Sequence, residues 1–213
     1  MTPRRLLPAC LVLALTQAPG AATAEAQTRL LKRIETSHEL YYLGLSQAEP
    51  LYILAAARLR KSVLLVPGTR APEGGQSETG QPDLSVEAML QAAAPMIAGD
   101  PALEALAEDI RAERDKGVSN GPVYSIVTIK GGGRDRYPSV RFTGGEYAEI
   151  YVEGAPGTDL NLLVHDAKNR LVCSDTDISA VAYCGWRPGT DTDYTITVVN
   201  EAGRGGRYSM MSN

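Results

Sequence analysis

The chain has 213 residues, 44% of them apolar, and carries 21 lysines and arginines against 25 aspartates and glutamates, a formal net charge of −4. A nucleic-acid binder displays a basic stripe, so this balance excludes that class of partner. The length allows one large core or two small ones.

Residues 1–26 read as a secretory signal peptide. A basic start with Arg4 and Arg5 leads into the apolar run Leu11 to Leu15 and then into small residues. Ala22-Thr23-Ala24 and Ala24-Glu25-Ala26 both offer the small-x-small pattern, so cleavage falls after Ala24 or Ala26. Leu7-Pro-Ala-Cys10 is a poor lipoprotein box, because most of the apolar core follows Cys10. Arg4-Arg5 lacks the flanking residues of a twin-arginine signal. The expected location is therefore secreted or periplasmic. No later stretch reaches the roughly 18 apolar residues that a membrane-spanning helix needs, so no transmembrane segment is expected in the mature protein. Cleavage removes Cys10 and leaves Cys173 and Cys184. An even pair in an oxidising compartment reads as a disulfide; the alternatives are two buried free thiols or a metal site.

A helical region is expected over 27–117. Leu30, Leu31, Ile34, Tyr41, Tyr42 and Leu45 fall at helical spacing, with His38 on the same stripe. A second helix starts at Glu49-Pro50, since proline suits a first turn where its missing N–H is not needed. A third lies within Leu84 to Ile97, with Pro95 kinking or ending it. A fourth starts at Asp100-Pro101 with a stripe of Leu103, Leu106, Ala107 and Ile110, and Gly117 offers its stop. The two Pro starts echo one another, either as related hairpins or as shared helix-start chemistry. Between the hairpins, residues 67–82 are dense in Gly and Pro with one small apolar side chain, and read as a mobile loop that buries nothing.

Over 118–213 the period changes to alternation. Ala148, Ile150 and Val152 share one face of a strand and Tyr147, Glu149 and Tyr151 the other, and Gly144-Gly145 signals a hairpin back to Arg141-Phe142. Leu160, Leu162 and Val164 point inward, and Asp166 to Asn169 turn the chain into Arg170 to Cys173. Further strands are Ala182 to Cys184, Tyr194 to Val199 and Arg207 to Met210. The expected fold is α+β, with N-terminal α-helical hairpins followed by an antiparallel β-sandwich able to fold on its own.

Gly154, Asp159-Leu-Asn-Leu-x-Val-x-Asp166, Asp175, Pro188-x-Thr-x-x-x-Tyr194-Thr-Ile-x-Val198-x-Asn200 and Tyr208-x-Met210 together resemble the bacterial pre-peptidase C-terminal type of β-sandwich, over residues 138–213. That resemblance implies a jelly-roll-like module of a kind usually non-catalytic and appended to secreted enzymes, some of which bind calcium or a polymeric substrate. Cys173, Cys184 and Trp186 are not part of the family's general pattern.

Candidate chemistry is sparse, and no catalytic residue or cofactor is assigned. His38 lacks the second histidine of a zinc-protease helix, since Tyr42 stands four residues on, and His165 sits alone at a strand end. No nucleophile elbow is present. Gly131-Gly-Gly133 lacks the lysine of a phosphate cradle and reads as a flexible connection. Aspartates crowd the strand ends, and Asp159, Asp166, Asp175 and Asp177 are the calcium candidates, because calcium takes six to eight oxygens from such loops; solvated turn aspartates are the alternative. Seven of the ten tyrosines lie in the stranded half with Trp186. Most are expected in the core, with stacking on a sugar or peptide as the functional alternative. The expected function is a non-catalytic protein that binds a protein or polymer partner in the envelope or exterior. The alternatives are a small envelope hydrolase and an envelope assembly factor; a broad exposed apolar patch on the helices would favour docking.

Overall fold

The computed structural model describes residues 29–113 and 121–213. The expected signal peptide and the Gly117 stop lie outside the described residues.

Four helices form where expected: α1 (Leu30–Gln47), α2 (Pro50–Lys61), α3 (Val86–Ile97) and α4 (Pro101–Ala112). The two Pro starts are each capped by the preceding carboxylate. Glu49 accepts from the Leu51 amide and Asp100 from those of Ala102 and Leu103, which satisfies donors that a first turn leaves free. Ser85 caps α3 through the Ala88 amide. Pro95 falls in the last turn of α3, and the helix ends two residues later. The α1–α2 turn is tight because Gly44 lies against α2: a Cβ there would stand 2.7 Å from Ile53 Cγ1 and 3.0 Å from the Ile53 nitrogen.

The strands are β1 (Val66–Pro67), β2 (Val123–Ile129), β3 (Arg134–Phe142), β4 (Ala148–Gly154), β5 (Leu160–His165), β6 (Leu171–Asp175), β7 (Val181–Trp186), β8 (Thr192–Asn200) and β9 (Gly206–Ser212). One sheet runs β1-β2-β9-β4-β7 and the other β3-β8-β5-β6. Every connection from β2 to β9 crosses between the sheets except the β5–β6 hairpin, so the expected sandwich is a jelly roll. The hairpin expected at Gly144-Gly145 is corrected, because β3 and β4 lie in different sheets. The turn packs on the β7–β8 connection instead: Gly144 N–H donates to Asp191 Oδ1 and Gly145 N–H to the Pro188 carbonyl.

The sandwich interior holds Tyr137, Ile150, Val152, Leu160, Leu162, Val164, Ile196, Val198, Tyr208 and Met210, and the helices enclose a second core around Ile53, Leu54, Met89, Leu90 and Ile110. A third core joins them. Leu31 and Ile34 of α1 pack with Val63 on Tyr124, Ile126, Tyr151 and Met211, which cover the outer face of the first sheet. Six of the seven β4 residues are buried in consequence. Helices and sandwich therefore form three layers, with α1 covering the outer face of the first sheet. Strand β1 crosses the expected boundary as well, pairing in parallel with β2.

Both open sides of the sandwich are closed. On one side Cys173 of β6 is bonded to Cys184 of β7, with Cα atoms 5.9 Å apart, tying the edge strands of the two sheets. On the other, the segment read as a mobile loop runs from sheet to sheet. Gly68 N–H donates to the Tyr124 carbonyl, Arg70 N–H to Ser125 Oγ, and Glu73 N–H to the Arg136 carbonyl on β3. Pro72 is buried there, and the chain returns over β2 with Glu78 N–H on the Ile126 carbonyl. The expectation of a stretch that buries nothing is thus corrected: backbone amides of Gly68, Arg70, Glu73 and Glu78 anchor it.

Candidate functional site

The α1–α2 hairpin ends in an apolar tip. Tyr42 (39% exposed), Leu43 (43%), Leu45 (40%), Leu51 (49%) and Tyr52 (39%) are five of the nine large apolar side chains exposed among the described residues, and all lie within 11 positions. Tyr42 and Leu45 belong to the stripe that Leu31 and Ile34 bury, but at the C-terminal end of α1 that stripe is open to solvent. Leu43, Leu51 and Tyr52 carry no such periodic signal. The one hint in the sequence is that apolar residues surround the end of α1 instead of keeping to one face.

Beneath the helices lies a set of buried titratable groups. Glu149 and Glu153 stand on the helix-facing side of β4, flanking Tyr151. Glu149 accepts from the Leu31 and Lys32 amides at 3.3 and 3.1 Å and from the Tyr183 hydroxyl at 2.9 Å. Arg29 makes no side-chain cap for α1, so a carboxylate from the sheet caps that helix instead. Burial pushes the Glu149 carboxyl above its ordinary range, against the Tyr183 hydroxyl and the helix amides that favour its charge. Arg60 and Glu153 form a two-bonded pair at 3.1 and 2.5 Å, with side chains 4% and 5% exposed. Arg60 also donates to the Leu84 carbonyl and to Ser37 Oγ, and Tyr151 OH donates to Glu153. His38 lies against Tyr42 with ring centroids 4.6 Å apart and planes tilted by 50°, and burial holds its imidazole below the ordinary value, favouring the neutral form. Buried titratable clusters often mark reactive sites. Here the Arg60–Glu153 pair and the bonds from the Leu31 and Lys32 amides to Glu149 cross between the layers, so these groups latch helices to sheet.

The four calcium candidates are not brought together. Asp159 and Asp166 flank β5 at its two ends, roughly 20 Å apart at the rise of a strand. Asp166 accepts from the Lys168 and Arg170 amides and the Arg170 guanidinium, which holds its carboxyl below the ordinary range. Asp175 accepts from the Tyr183 and Asp177 amides. Among the described residues no three His, Cys, Asp or Glu side chains are placed to hold a metal.

His165 pairs with Thr195 on β8, in a different layer from His38. Tyr124, Tyr137, Tyr151, Tyr194, Tyr208 and Trp186 are buried, so they are not a stacking platform. Tyr137 donates to Tyr208 at 2.5 Å and Tyr208 to Asp135 at 2.9 Å, and burial pushes the Asp135 carboxyl up. Asn200 makes four hydrogen bonds, accepting from the Asp159 and Ala202 amides and donating to the Lys130 and Arg204 carbonyls, so its place in the motif is to fix loops. Gly131 to Gly133 form a tight β2–β3 turn, closed by Gly133 N–H on the Lys130 carbonyl. A cavity of about 430 Å³ opens beside Leu64, Leu84 and Val86, with Arg60, already bonded to Glu153, Leu84 and Ser37, on its wall. No helix among the described residues is long and apolar enough to cross a membrane.

No family model matches the chain. No curated protein matches it either. Among solved structures, the pre-peptidase C-terminal domain of collagenase from Bacillus anthracis is similar at 15% identity and a TM-score of 0.35, over 42% of this chain and 87% of that one. PliG from Aeromonas hydrophila, a periplasmic inhibitor of g-type lysozyme, is similar at 12% identity and a TM-score of 0.35, over 47% and 90%. The C-terminal CBM6 of LamC, a marine laminarinase from Zobellia galactanivorans, gives 12%, 0.28, 47% and 87%. The likeness to the pre-peptidase module stands at the level of a β-sandwich fold.

Proposed function

We propose that the chain is a non-catalytic interaction protein of the periplasm or cell exterior, which docks on a protein partner through the tip of its α1–α2 hairpin. The observation that carries this reading is the concentration of Tyr42, Leu43, Leu45, Leu51 and Tyr52 at that tip, while the other large apolar side chains of the helices are buried or half-buried. Monomeric surfaces rarely gather large apolar side chains without use. Tyrosine is also enriched at the centres of interfaces. The disulfide agrees with an oxidising compartment. The sandwich serves as the rigid base that holds the hairpin in place, through the Arg60–Glu153 and Glu149 latches.

The test is recovery of partners from the native envelope fraction with tagged wild-type protein and with Leu43→Ser/Leu51→Ser. Both positions are exposed, so the variant should keep its unfolding midpoint and lose a specific partner. Retention of every partner by a folded variant would overturn the tip as the docking site. Turnover of an envelope polymer by the purified protein would favour the hydrolase reading instead.

A further inference from the structure

Charge is distributed unevenly along the helical layer. Lys61 Nζ donates to the Arg111 carbonyl, and Arg60 to the Leu84 carbonyl, so the end of α2 lies beside the end of α4 and the start of α3. The start of α2 therefore lies at the opposite end, with the turn from α3 to α4. The hairpin tip and residues 97–101 share that end of the bundle. Lys and Arg are absent from residues 34–57 and from residues 86–110. Carboxylates are present in both: Glu39 and Glu49 by the hairpin tip, and Asp100 and Glu104 by the second turn. Glu49 and Asp100 are held at helix starts by capping bonds, and Glu104 accepts from the Gly99 amide, so their places are fixed. Two helix starts and two helix ends meet there, so their dipoles offset. His38 adds little charge, since burial favours its neutral form. The cations Arg58, Arg60, Lys61 and Arg111 gather toward the other end.

We infer that the tip accepts an amphipathic, lysine- or arginine-bearing protein segment, whose apolar face covers Tyr42, Leu43, Leu45, Leu51 and Tyr52 while its cations meet Glu39, Glu49, Asp100 and Glu104. This rests on the docking reading above and adds the partner's chemistry. An apolar patch bordered by carboxylates, on segments 34–57 and 86–110 that carry no lysine or arginine, selects such a segment, since opposite charges at an interface rim speed encounter and like charges suppress wrong partners. The same border disfavours two other occupants. An anionic lipid surface is held by lysine and arginine, which these two segments lack, and a second copy would bring its own carboxylates against these.

The experiment is an amide-shift titration of the isotopically labelled protein with two helical peptides of one apolar pattern, one built of Leu and Lys and the other of Leu and Glu. Phosphatidylglycerol vesicles and sedimentation of the protein alone complete it. The Leu–Lys peptide should shift amides in 39–52 and 97–104 and bind at least about fivefold tighter than its Leu–Glu twin, a preference that weakens with salt. Leu43→Ser/Leu51→Ser should weaken it further without altering the fold. Equal binding of the twins, shifts confined to the acidic strand loops near Asp175 and Asp191, vesicle binding, or self-association through the tip would each overturn the inference. Charge-blind binding at the tip would sink the inference while leaving the docking reading intact; a partner lost with the tip variant, as tested above, reports on docking alone.

Discussion

Replacing Arg60 by Met should show how far helices and sandwich depend on one another. Among the described residues, the change leaves the Glu153 carboxylate between the layers with the Tyr151 hydroxyl as its remaining donor. An uncompensated buried charge of this kind costs about 3–5 kcal/mol. For a chain of this length that is a fall in midpoint of roughly 10 °C. Glu153→Gln strands the guanidinium less severely, because the bonds to the Leu84 carbonyl and Ser37 survive; about 2 kcal/mol is expected. Arg60→Met with Glu153→Leu removes both charges, leaves the Tyr151 hydroxyl, the Leu84 carbonyl and Ser37 Oγ each short of one bond, and should be less damaging than Arg60→Met alone. The assay is urea unfolding of the three variants, followed by far-ultraviolet dichroism and by the fluorescence of Trp186, which lies in the sandwich core. The two signals should fall together in the wild type. A cost below about 1 kcal/mol for Arg60→Met, or a double variant less stable than Arg60→Met alone, would refute the latch.

Cys173→Ser/Cys184→Ser should lose about 3 kcal/mol, the chain-entropy value for a loop of this length, and the unreduced wild type should be two hydrogens light by mass spectrometry. Residues 121–213 expressed alone expose Tyr124, Ile126, Tyr151 and Met211 together with Glu149 and Glu153, so this fragment should bind a hydrophobic dye and lack a cooperative transition; clean two-state unfolding would show that the sandwich needs no helices. Burial raises the Glu149 carboxyl in the folded state, so its favourable contribution is present below the ordinary carboxylate pKa and is lost as pH rises through the raised value. Wild-type stability relative to Glu149→Gln should decline across that window, and a rise would reverse the sign of the burial effect. Because Asp166 is committed to Arg170 at the far end of β5 from Asp159, millimolar calcium should leave the unfolding midpoint unchanged against chelator; a rise of several degrees would contradict this placement.

Helix starts and inward-facing strand residues were legible because their signals are local. Helices start at Glu49-Pro50 and Asp100-Pro101 as read, and Leu160, Leu162 and Val164 face the core as their alternation says. What was not legible depends on contacts far apart in the chain. Glu149 looks like the polar face of an ordinary strand, and its role appears only once α1 is seen to end on it. Val123 to Ile129 has no alternation because both of its faces are covered, so the period-2 signal is absent where the strand is most buried. Residues 67–82 carry their anchoring in backbone amides, which composition does not reveal. Tyr42 and Leu45 show the limit of periodicity: the stripe is correct, but where the sheet beneath it stops is a tertiary fact.

The most direct measurement of the docking account places a photo-activatable side chain at Leu43 or Tyr52 and, in separate proteins, at Ile178, whose 94% exposure on the disulfide-clipped loop makes it the most accessible apolar position on the sandwich. In the native envelope, Leu43 and Tyr52 should give one cross-linked species in common, lost when unlabelled wild-type protein competes, and Ile178 should not give it. Cross-linking to the same partner from Ile178, with none from Leu43 or Tyr52, would contradict the account and move the interaction to the sandwich loops.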